Sequence, residues 1–447
     1  MGMKGYNQGD IAWVLMSTCL VFLMIPGLGY FYSGLARSKN ALSLIVLCCL
    51  SMAIVGVEWF ALGYSMAFSR TGSMFVGNLD NVFLRGVLDE PSPVSKAIPD
   101  ILFMAYQGMF AAITPALAVG AAAERGRMLP SAVFILFWSV FVYNFVACWT
   151  WSANGWGAKL GVLDYAGGTP VHIASGASAL VFSLMLGKRT GHGEEDFAPH
   201  NISNVILGTA LLWFGWFGFN GGSAYAANVR AVVSCVSTNV SASFGGLTWV
   251  LVEYVLTKKV SALAFCSGAV AGLVAITPAA GFVDIASSPV FGVLGAIVCY
   301  FSLKLKDLMG CDDALDVFAI HGMGGLLGSL LTGIFARKAI AGLDPDLVIG
   351  GGWLDGNFVQ VPIQMADASA AAVWSGLGTF VILKTMNHIP GLAIRATHDN
   401  EHIGMDISEL GSSAYLAHPP IEKPPMHQPS NDSLILTPQS TQLHSPL

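Results

Sequence analysis

The sequence predicts an all-α membrane protein whose helices cross a lipid bilayer repeatedly. Charged residues make up 11% of the 447 residues, whereas soluble domains average about 25%. Apolar runs of roughly 20 residues recur along the chain, which is the length that a helix needs to cross a hydrocarbon core about 30 Å thick. Because exposed backbone groups find no partner in lipid, such runs indicate helices. The 51 glycines favour close helix packing in a membrane.

Eleven transmembrane helices are expected from these apolar runs. They form a transmembrane domain over residues 1–386, followed by a tail over residues 387–447. The predicted spans are 11–36, 41–68, 101–123, 129–149, 165–187, 201–222, 229–256, 260–279, 288–305, 314–338 and 364–386.

Basic residues predict the orientation of these spans. Alternate short connections each carry a pair of basic residues, and basic residues concentrate on the cytosolic side of membrane proteins. We therefore expect the N-terminus outside the membrane and the C-terminus in the cytosol. The pairs are Arg37/Lys39, Arg125/Arg127, Lys188/Arg189, Lys258/Lys259 and Lys304/Lys306.

The first ten spans divide into two halves of five. Residues 11–187 and 201–338 then have opposite orientations, as an inverted repeat requires. His172 lies in the fifth span and His321 in the tenth, so the two histidines occupy equivalent positions. A pseudo-twofold axis in the membrane plane would bring them together near the midplane, while the eleventh span, 364–386, lies outside the repeat.

His172 and His321 are candidate functional residues because both lie among small and apolar residues. Ionisable groups in a membrane are costly and usually face the bundle interior or a cavity. A lone histidine of this kind is more often a core residue bonded to a backbone carbonyl. The equivalent placement of two favours a functional pair. Burial disfavours the charged imidazolium, and a neutral imidazole both donates and accepts a hydrogen bond, so the pair can relay a proton.

Aromatic residues cluster near the predicted outer ends of the spans. Trp151 follows the fourth span, and Trp216 and Phe219 precede Ser223 at the end of the sixth. An interfacial aromatic belt accounts for most such residues, but a tryptophan ring face also binds a cation with about 0.5–2 kcal/mol. Ser223 could add a hydrogen bond to such a cation.

Asp164 lies at the start of the fifth span. A role as the N-cap of this helix is favoured over a contact with the substrate.

Other charged residues have structural explanations. Glu58 lies inside a span and the sequence does not explain it, so a buried, hydrogen-bonded role is the default interpretation. Asp312, Asp313 and Asp316 cluster at the predicted cytoplasmic start of the tenth span, where a helix N-terminus favours negative charge. A metalloenzyme is disfavoured, because His172 and His321 have no third ligand near them in sequence. The net charge of −6 does not indicate a nucleic-acid partner.

The tail has two parts. Residues 387–415 keep scattered apolar side chains and are expected to dock on the cytosolic face. Residues 416–447 are rich in proline and polar residues, as disordered segments are, and contain serines and threonines that a kinase or signalling partner can modify.

Several motifs resemble the ammonium transporter (Amt/Mep/Rh) family, most closely its fungal permeases. The resemblance covers residue 9 to about 415 and implies eleven spans, a homotrimer with one pore per subunit, and a plasma-membrane location. It implies ammonium and methylammonium as substrates, no cofactor and no enzymatic activity. The motifs are GDIAW at 9–13, IPGLGYFYSGL at 25–35, GAAAER at 120–125, DYAGGTPVH at 164–172, FGWFGFNGGS at 214–223 and the segment 312–325.

The resemblance also assigns roles to individual residues. Trp151, Ser223 and Phe110 match the site that recruits ammonium, and Asp164 matches the family aspartate at the mouth of the fifth helix. Phe110 and Phe219 match the stacked aromatic gate. His172 and His321 match the twin pore histidines, and Trp216 belongs to the same pore motif as Phe219. Residues 404–415 resemble the regulatory C-terminal region.

These observations together predict an ammonium transporter that recruits the cation in an outer aromatic vestibule, removes a proton and conducts ammonia and the proton through a twin-histidine pore. Two alternatives stay open: a passive ammonia channel, and a transporter that also acts as an ammonium sensor.

Overall fold

The computed structural model of the protein describes residues 5–195 and 197–415, and its regular structure there is helical apart from isolated β-bridges. The prediction of an all-α membrane protein is confirmed. The apolar helices are α1 (Gln8–Leu35), α2 (Ser38–Phe68), α3 (Asp100–Ala122), α4 (Met128–Leu160), α5 (Gly168–Leu186), α6 (Ile202–Ala224), α7 (Val229–Thr257), α8 (Ala262–Ile276), α9 (Ile285–Lys306), α10 (Phe318–Phe335) and α11 (Gln360–Asn387).

Ten of these helices in the described part of the chain are long and apolar enough to cross a membrane, and α8 is shorter. The sequence predicts the eighth span over 260–279, but α8 ends at Ile276. Pro278 has no backbone N–H to continue the helix, and the chain turns there, with Phe282 N donating to Ala279 O at 2.7 Å. The count of eleven crossings and their orientation stay predictions.

Hydrogen bonds from side chains determine where several helices begin. Asn7 accepts from the backbone of Gly9 at the start of α1. Asn201, Asn228 and Ser261 accept in the same way at the starts of α6, α7 and α8. Asparagine and serine are favoured N-caps because their oxygens bind the free N–H groups of the first turn. These polar residues therefore mark the positions at which four of the apolar helices begin.

Four of the long helices contain a π turn, which the apolar pattern alone did not predict. The turns are Trp59–Gly63 in α2, Ser139–Tyr143 in α4, Gly168–Ile173 in α5 and Phe318–Gly322 in α10. Such turns often occur at functional sites. His172 and His321 lie in the turns of α5 and α10. Glu58 lies beside those of α2 and α4 and accepts hydrogen bonds from Asn144 Nδ2 at 2.8 Å and Ser139 Oγ at 3.1 Å.

The segment after α11 contacts the loops at one end of the bundle. It contains α12 (His398–Ile403) and α13 (Met405–Leu410). The Asp406 carboxylate accepts from the backbone of Leu42 at 3.0 Å and of Ser43 at 2.8 Å, near the start of α2. Arg395 forms an ion pair with Glu401 at 3.0 Å. The predicted disordered tail and its phosphorylation sites, residues 416–447, lie outside the described residues.

Candidate functional site

Asp164 positions the helix that carries His172. Its Oδ1 atom accepts from the backbone N–H groups of Gly167 at 2.7 Å and Gly168 at 2.9 Å, and its Oδ2 atom accepts from Thr169 at 2.6 Å. Burial raises the pKa of the Asp164 carboxyl, and these hydrogen bonds oppose that shift. The geometry is that of a cap, as the structural interpretation expected. Asp164 also lines a second cavity, together with Trp151 and Ser223.

His172 and His321 face each other inside the bundle. Their Nδ1 atoms are 3.1 Å apart, and their ring centroids are 5.2 Å apart. The Nε2 atom of His172 has no hydrogen-bond partner within the described part of the chain. Both side chains line one largely apolar cavity together with Trp216, Phe219 and Tyr32. Two imidazoles in direct contact can hand a proton from one ring to the other.

Trp216 and Phe219 cover His172 from the side of α6. The His172 ring is nearly parallel to both, with an interplanar angle of 22° in each case and centroid distances of 5.7 Å and 6.1 Å. Trp216 is held in place by the hydrogen bond from its Nε1 to Thr277 Oγ1 at 2.9 Å. Both aromatic side chains are thus positioned in the wall of the cavity.

A pair of phenylalanine rings lies at one end of this cavity, where Phe219 lines it. The rings of Phe110 and Phe219 have centroids 4.3 Å apart and an interplanar angle of 35°. Both side chains are fully buried. Phe110 also contacts Trp151 edge-on, with centroids 5.8 Å apart. A hydrated ion cannot pass this apolar constriction without rearrangement, because it would lose its water.

A cavity of about 360 Å³ lies on the other side of the phenylalanine pair. We call it the vestibule; Trp151, Ser223 and Asp164 are among the residues that line it. The Trp151 indole donates to Asp164 O at 3.0 Å, which fixes the orientation of its ring. The Ser223 hydroxyl donates to Phe219 O at 2.9 Å, and its oxygen lies 3.2 Å from the Tyr106 hydroxyl, so at least one lone pair is left for a cationic donor.

Sequence reasoning missed several vestibule residues. Tyr165, Tyr225, Arg230, Asp344 and Asp346 all line it. A signal existed for Arg230, because it is a charged residue at the start of an apolar run. The two aspartates lie in the long connection between α10 and α11. The sequence of such a loop does not indicate which helices its residues contact.

The aspartates before α10 form ion pairs and caps. Asp312 pairs with Arg189 at 2.8 Å, and Asp313 accepts from the backbone of Phe318 at 2.7 Å. Burial raises the pKa of Asp313 to about 6, against the attraction of Lys306. These contacts agree with the prediction that the aspartates have a structural role at the start of the helix.

Within residues 5–195 and 197–415, no group of three or more His, Cys, Asp or Glu side chains is arranged to hold a metal ion.

The fold and the site define a multi-pass membrane transport protein with a narrow, largely apolar cavity inside the helix bundle. Comparison with known proteins identifies the particular family. The model of the Ammonium Transporter Family matches residues 12–415, and the chain belongs to this family, which is one of transporters rather than enzymes.

Individual relatives support this assignment. Ammonium transporter 1 of Schizosaccharomyces pombe is 50% identical over 421 residues, covering 94% of this chain and 85% of that protein. The crystal structure of Candida albicans Mep2 has a TM-score of 0.85 at 46% identity, covering 88% of this chain and 87% of that one. The solved structure of a Sensor Amt Protein has a TM-score of 0.80 at 28% identity, covering 90% and 98%.

Proposed function

We propose that this chain imports ammonium across the plasma membrane by an electrogenic mechanism. The observation that carries the proposal is the contact between His172 and His321, whose Nδ1 atoms are 3.1 Å apart in an apolar cavity. An apolar wall favours passage of a neutral molecule, and the imidazole pair offers a separate route for the proton.

Recruitment takes place in the vestibule. The Trp151 ring face attracts the ammonium ion, and the Ser223 oxygen accepts one of its hydrogen bonds. Phe110 supports Trp151 through their edge contact. Asp164 acts through the backbone, because its carboxylate holds the first turn of the His172 helix and its carbonyl holds the Trp151 indole.

Conduction requires that ammonium lose a proton at the gate. Moving an isolated ion into an apolar interior costs tens of kcal/mol by Born estimates, whereas ammonia is neutral. Ammonia passes Phe110 and Phe219, and the proton crosses on the histidine pair, one imidazole donating while the other accepts. Each ammonium ion then carries one positive charge across the membrane, so the transport produces a current.

The proposal extends to the topology, the second substrate and the oligomeric state of the chain. We expect an inverted repeat over 11–187 and 201–338, the N-terminus outside, the C-terminus cytosolic, methylammonium as a second substrate and a homotrimer. Large apolar side chains such as Phe214, Val232 and Leu247 are exposed on α6 and α7, and a neighbouring subunit or lipid has to cover them. The mass of the purified complex in detergent tests the trimer.

Current measurement under voltage clamp tests the mechanism. Addition of ammonium to cells that express the chain should evoke an inward current, and its integral should match the uptake of ammonium. Uptake without current would contradict the electrogenic mechanism and indicate a passive ammonia channel. Neither uptake nor current, with the protein at the cell surface, would contradict the transport function itself.

A transporter that also acts as a sensor is the second candidate. It is favoured by the similarity of the fold to the Sensor Amt Protein. In this case the cytosolic tail contacts a kinase or another signalling partner. Removal of residues 416–447 should then abolish ammonium-dependent signalling and leave the current intact. If the truncated chain kept both the signalling and the current, this segment would have no sensor role.

A further inference from the structure

Arg230 carries a buried positive charge in the wall of a cavity proposed to bind a cation. The residue is 5% exposed. Its guanidinium carbon lies 4.8 Å from the centre of the Tyr165 ring and 5.0 Å from that of Phe282. Its Nε donates to Gly281 O at 2.9 Å. The two rings and the carbonyl therefore fix the position of this charge at the start of α7.

Asp344 supplies an opposite charge to Arg230. The Nη1 atom of Arg230 is 3.6 Å from Asp344 Oδ2, and the side chains are 6% and 22% exposed. This distance is too long for a hydrogen bond but short enough for strong electrostatic attraction, since water screens the pair incompletely. Asp344 comes from the connection between α10 and α11, so its position depends on the tertiary fold.

The balance of charge in the vestibule depends on Asp344. Five charged side chains line the vestibule, namely Asp164, Asp344 and Asp346 against Lys96 and Arg230. With all five ionised, three negative and two positive charges leave a net charge of −1. Loss of the Asp344 charge brings this sum to zero and leaves the fixed charge of Arg230 uncompensated. A cleft of one charge sign concentrates ions of the opposite sign, so capture of a cation should weaken.

We propose that Asp344 is an affinity-determining residue of this transporter, because it neutralises Arg230 at the entrance to the pore. The inference rests on the proposed function, in which the vestibule takes up ammonium. Asp344 is a positioning residue and not part of the gate or the histidine pair. It sets the concentration of ammonium at Trp151 and Ser223, and leaves the later steps unchanged.

The test compares ammonium-evoked currents of Asp344→Asn and the wild-type chain over a range of ammonium concentrations. The apparent KM should rise roughly three- to tenfold, the range expected for one unit charge within a partly screened cleft. The maximal current at equal surface expression should not change. The difference in KM should shrink as ionic strength rises, because salt screens the interaction.

Asp284→Asn is the matched control. Asp284 also lies 3.6 Å from an arginine, Arg337, but it does not line the vestibule. Its substitution should leave the KM at the wild-type value.

A double variant separates charge balance from a structural role. Arg230→Gln combined with Asp344→Asn removes one charge of each sign, so the KM should return close to the wild-type value. If the double variant does not reach the cell surface, the ionic-strength dependence of Asp344→Asn alone decides. An unchanged KM in Asp344→Asn, a KM rise insensitive to salt, or a surface-expressed double variant as weak as the single one would overturn the inference. Absence of any current in the wild-type chain would instead overturn the proposed function and this inference with it.

Discussion

Gly176 on α5 and Gly322 on α10 touch through their backbones where the two helices cross. A Cβ atom added at Gly322 would lie 3.4 Å from Gly176 Cα, and one added at Gly176 would overlap the backbone of Gly322. Gly322 directly follows His321, and Gly176 lies one turn after His172. The absence of side chains at this crossing is what lets the two imidazoles meet.

Gly176→Ala should therefore separate the histidines. An added methyl group must push α5 and α10 apart, because the atoms that it meets are backbone and cannot rotate away. We expect the ammonium-evoked current to fall at least about tenfold, since small displacements at a reacting site cost rates of this order or more. Gly56→Ala is the control, because a Cβ atom there meets nothing within 4 Å. Wild-type current in Gly176→Ala at equal surface expression would contradict the prediction.

Trp151→Leu should weaken recruitment of ammonium. Loss of about 0.5–2 kcal/mol of cation–π attraction corresponds to a rise in apparent KM of roughly two- to thirtyfold. Concentration–current curves provide the measurement. Trp353→Leu, which alters an exposed tryptophan in the connection between α10 and α11, should have no effect on KM. An unchanged KM in Trp151→Leu would reject the recruitment role.

His172 and His321 should behave as one unit. His321→Ala removes one partner of the relay, so the current should fall severely although Trp151 and Ser223 still recruit the ion. The double alanine variant should lose little more than the single one, because members of one functional unit are strongly non-additive. Voltage clamp of both single variants and the double variant tests this. If the double variant carried wild-type current, the histidines would be packing residues only.

His172→Glu should have a different effect from alanine. A carboxylate accepts a proton and attracts a cation, so we expect current to persist with reduced selectivity for ammonium over other monovalent cations. Currents evoked by ammonium and by potassium in the same cells give the ratio. Abolished current would show that the relay needs imidazole at this position.

Removal of the contacts made by the tail should lower transport. A chain truncated near residue 387 loses Asp406, whose carboxylate accepts hydrogen bonds from two backbone N–H groups near the start of α2. Truncation near residue 420 keeps these contacts and should leave the current at the wild-type level. Uptake is compared at matched surface expression. Equal losses at both positions would count against a docked regulatory segment.

The Asp312–Arg189 ion pair should make stability depend on acid pH. Although burial opposes ionisation, Arg189 holds the pKa of Asp312 below its ordinary value. The pair therefore stabilises the folded state above about pH 4, and this contribution disappears as the pH falls from there towards the folded-state pKa. Arg189→Gln should lower the unfolding free energy by about 3 kcal/mol at pH 7, with a smaller difference at pH 3. Thermal unfolding in detergent provides the measurement, and Lys188→Gln is the control. A difference independent of pH would contradict the assignment.

The amino-acid sequence by itself determined the class of the protein and the elements that bear its site. Apolar runs about as long as a bilayer is thick can only be buried as helices, so most spans agree with the structure to within a few residues. His172 and His321 were identifiable because a charged or polar group in such a run is costly. The capping role of Asp164 followed from its place before a helix.

Only the tertiary structure decided what these elements bring together. The contact of the imidazoles depends on the crossing at Gly176 and Gly322, and the π turns that hold both histidines do not follow from hydrophobic pattern. Asp344 reaches Arg230 from a connection more than 100 residues later in the chain. Local propensity and hydropathy act over a few residues, whereas an ion pair or a helix crossing depends on the packing of the whole bundle.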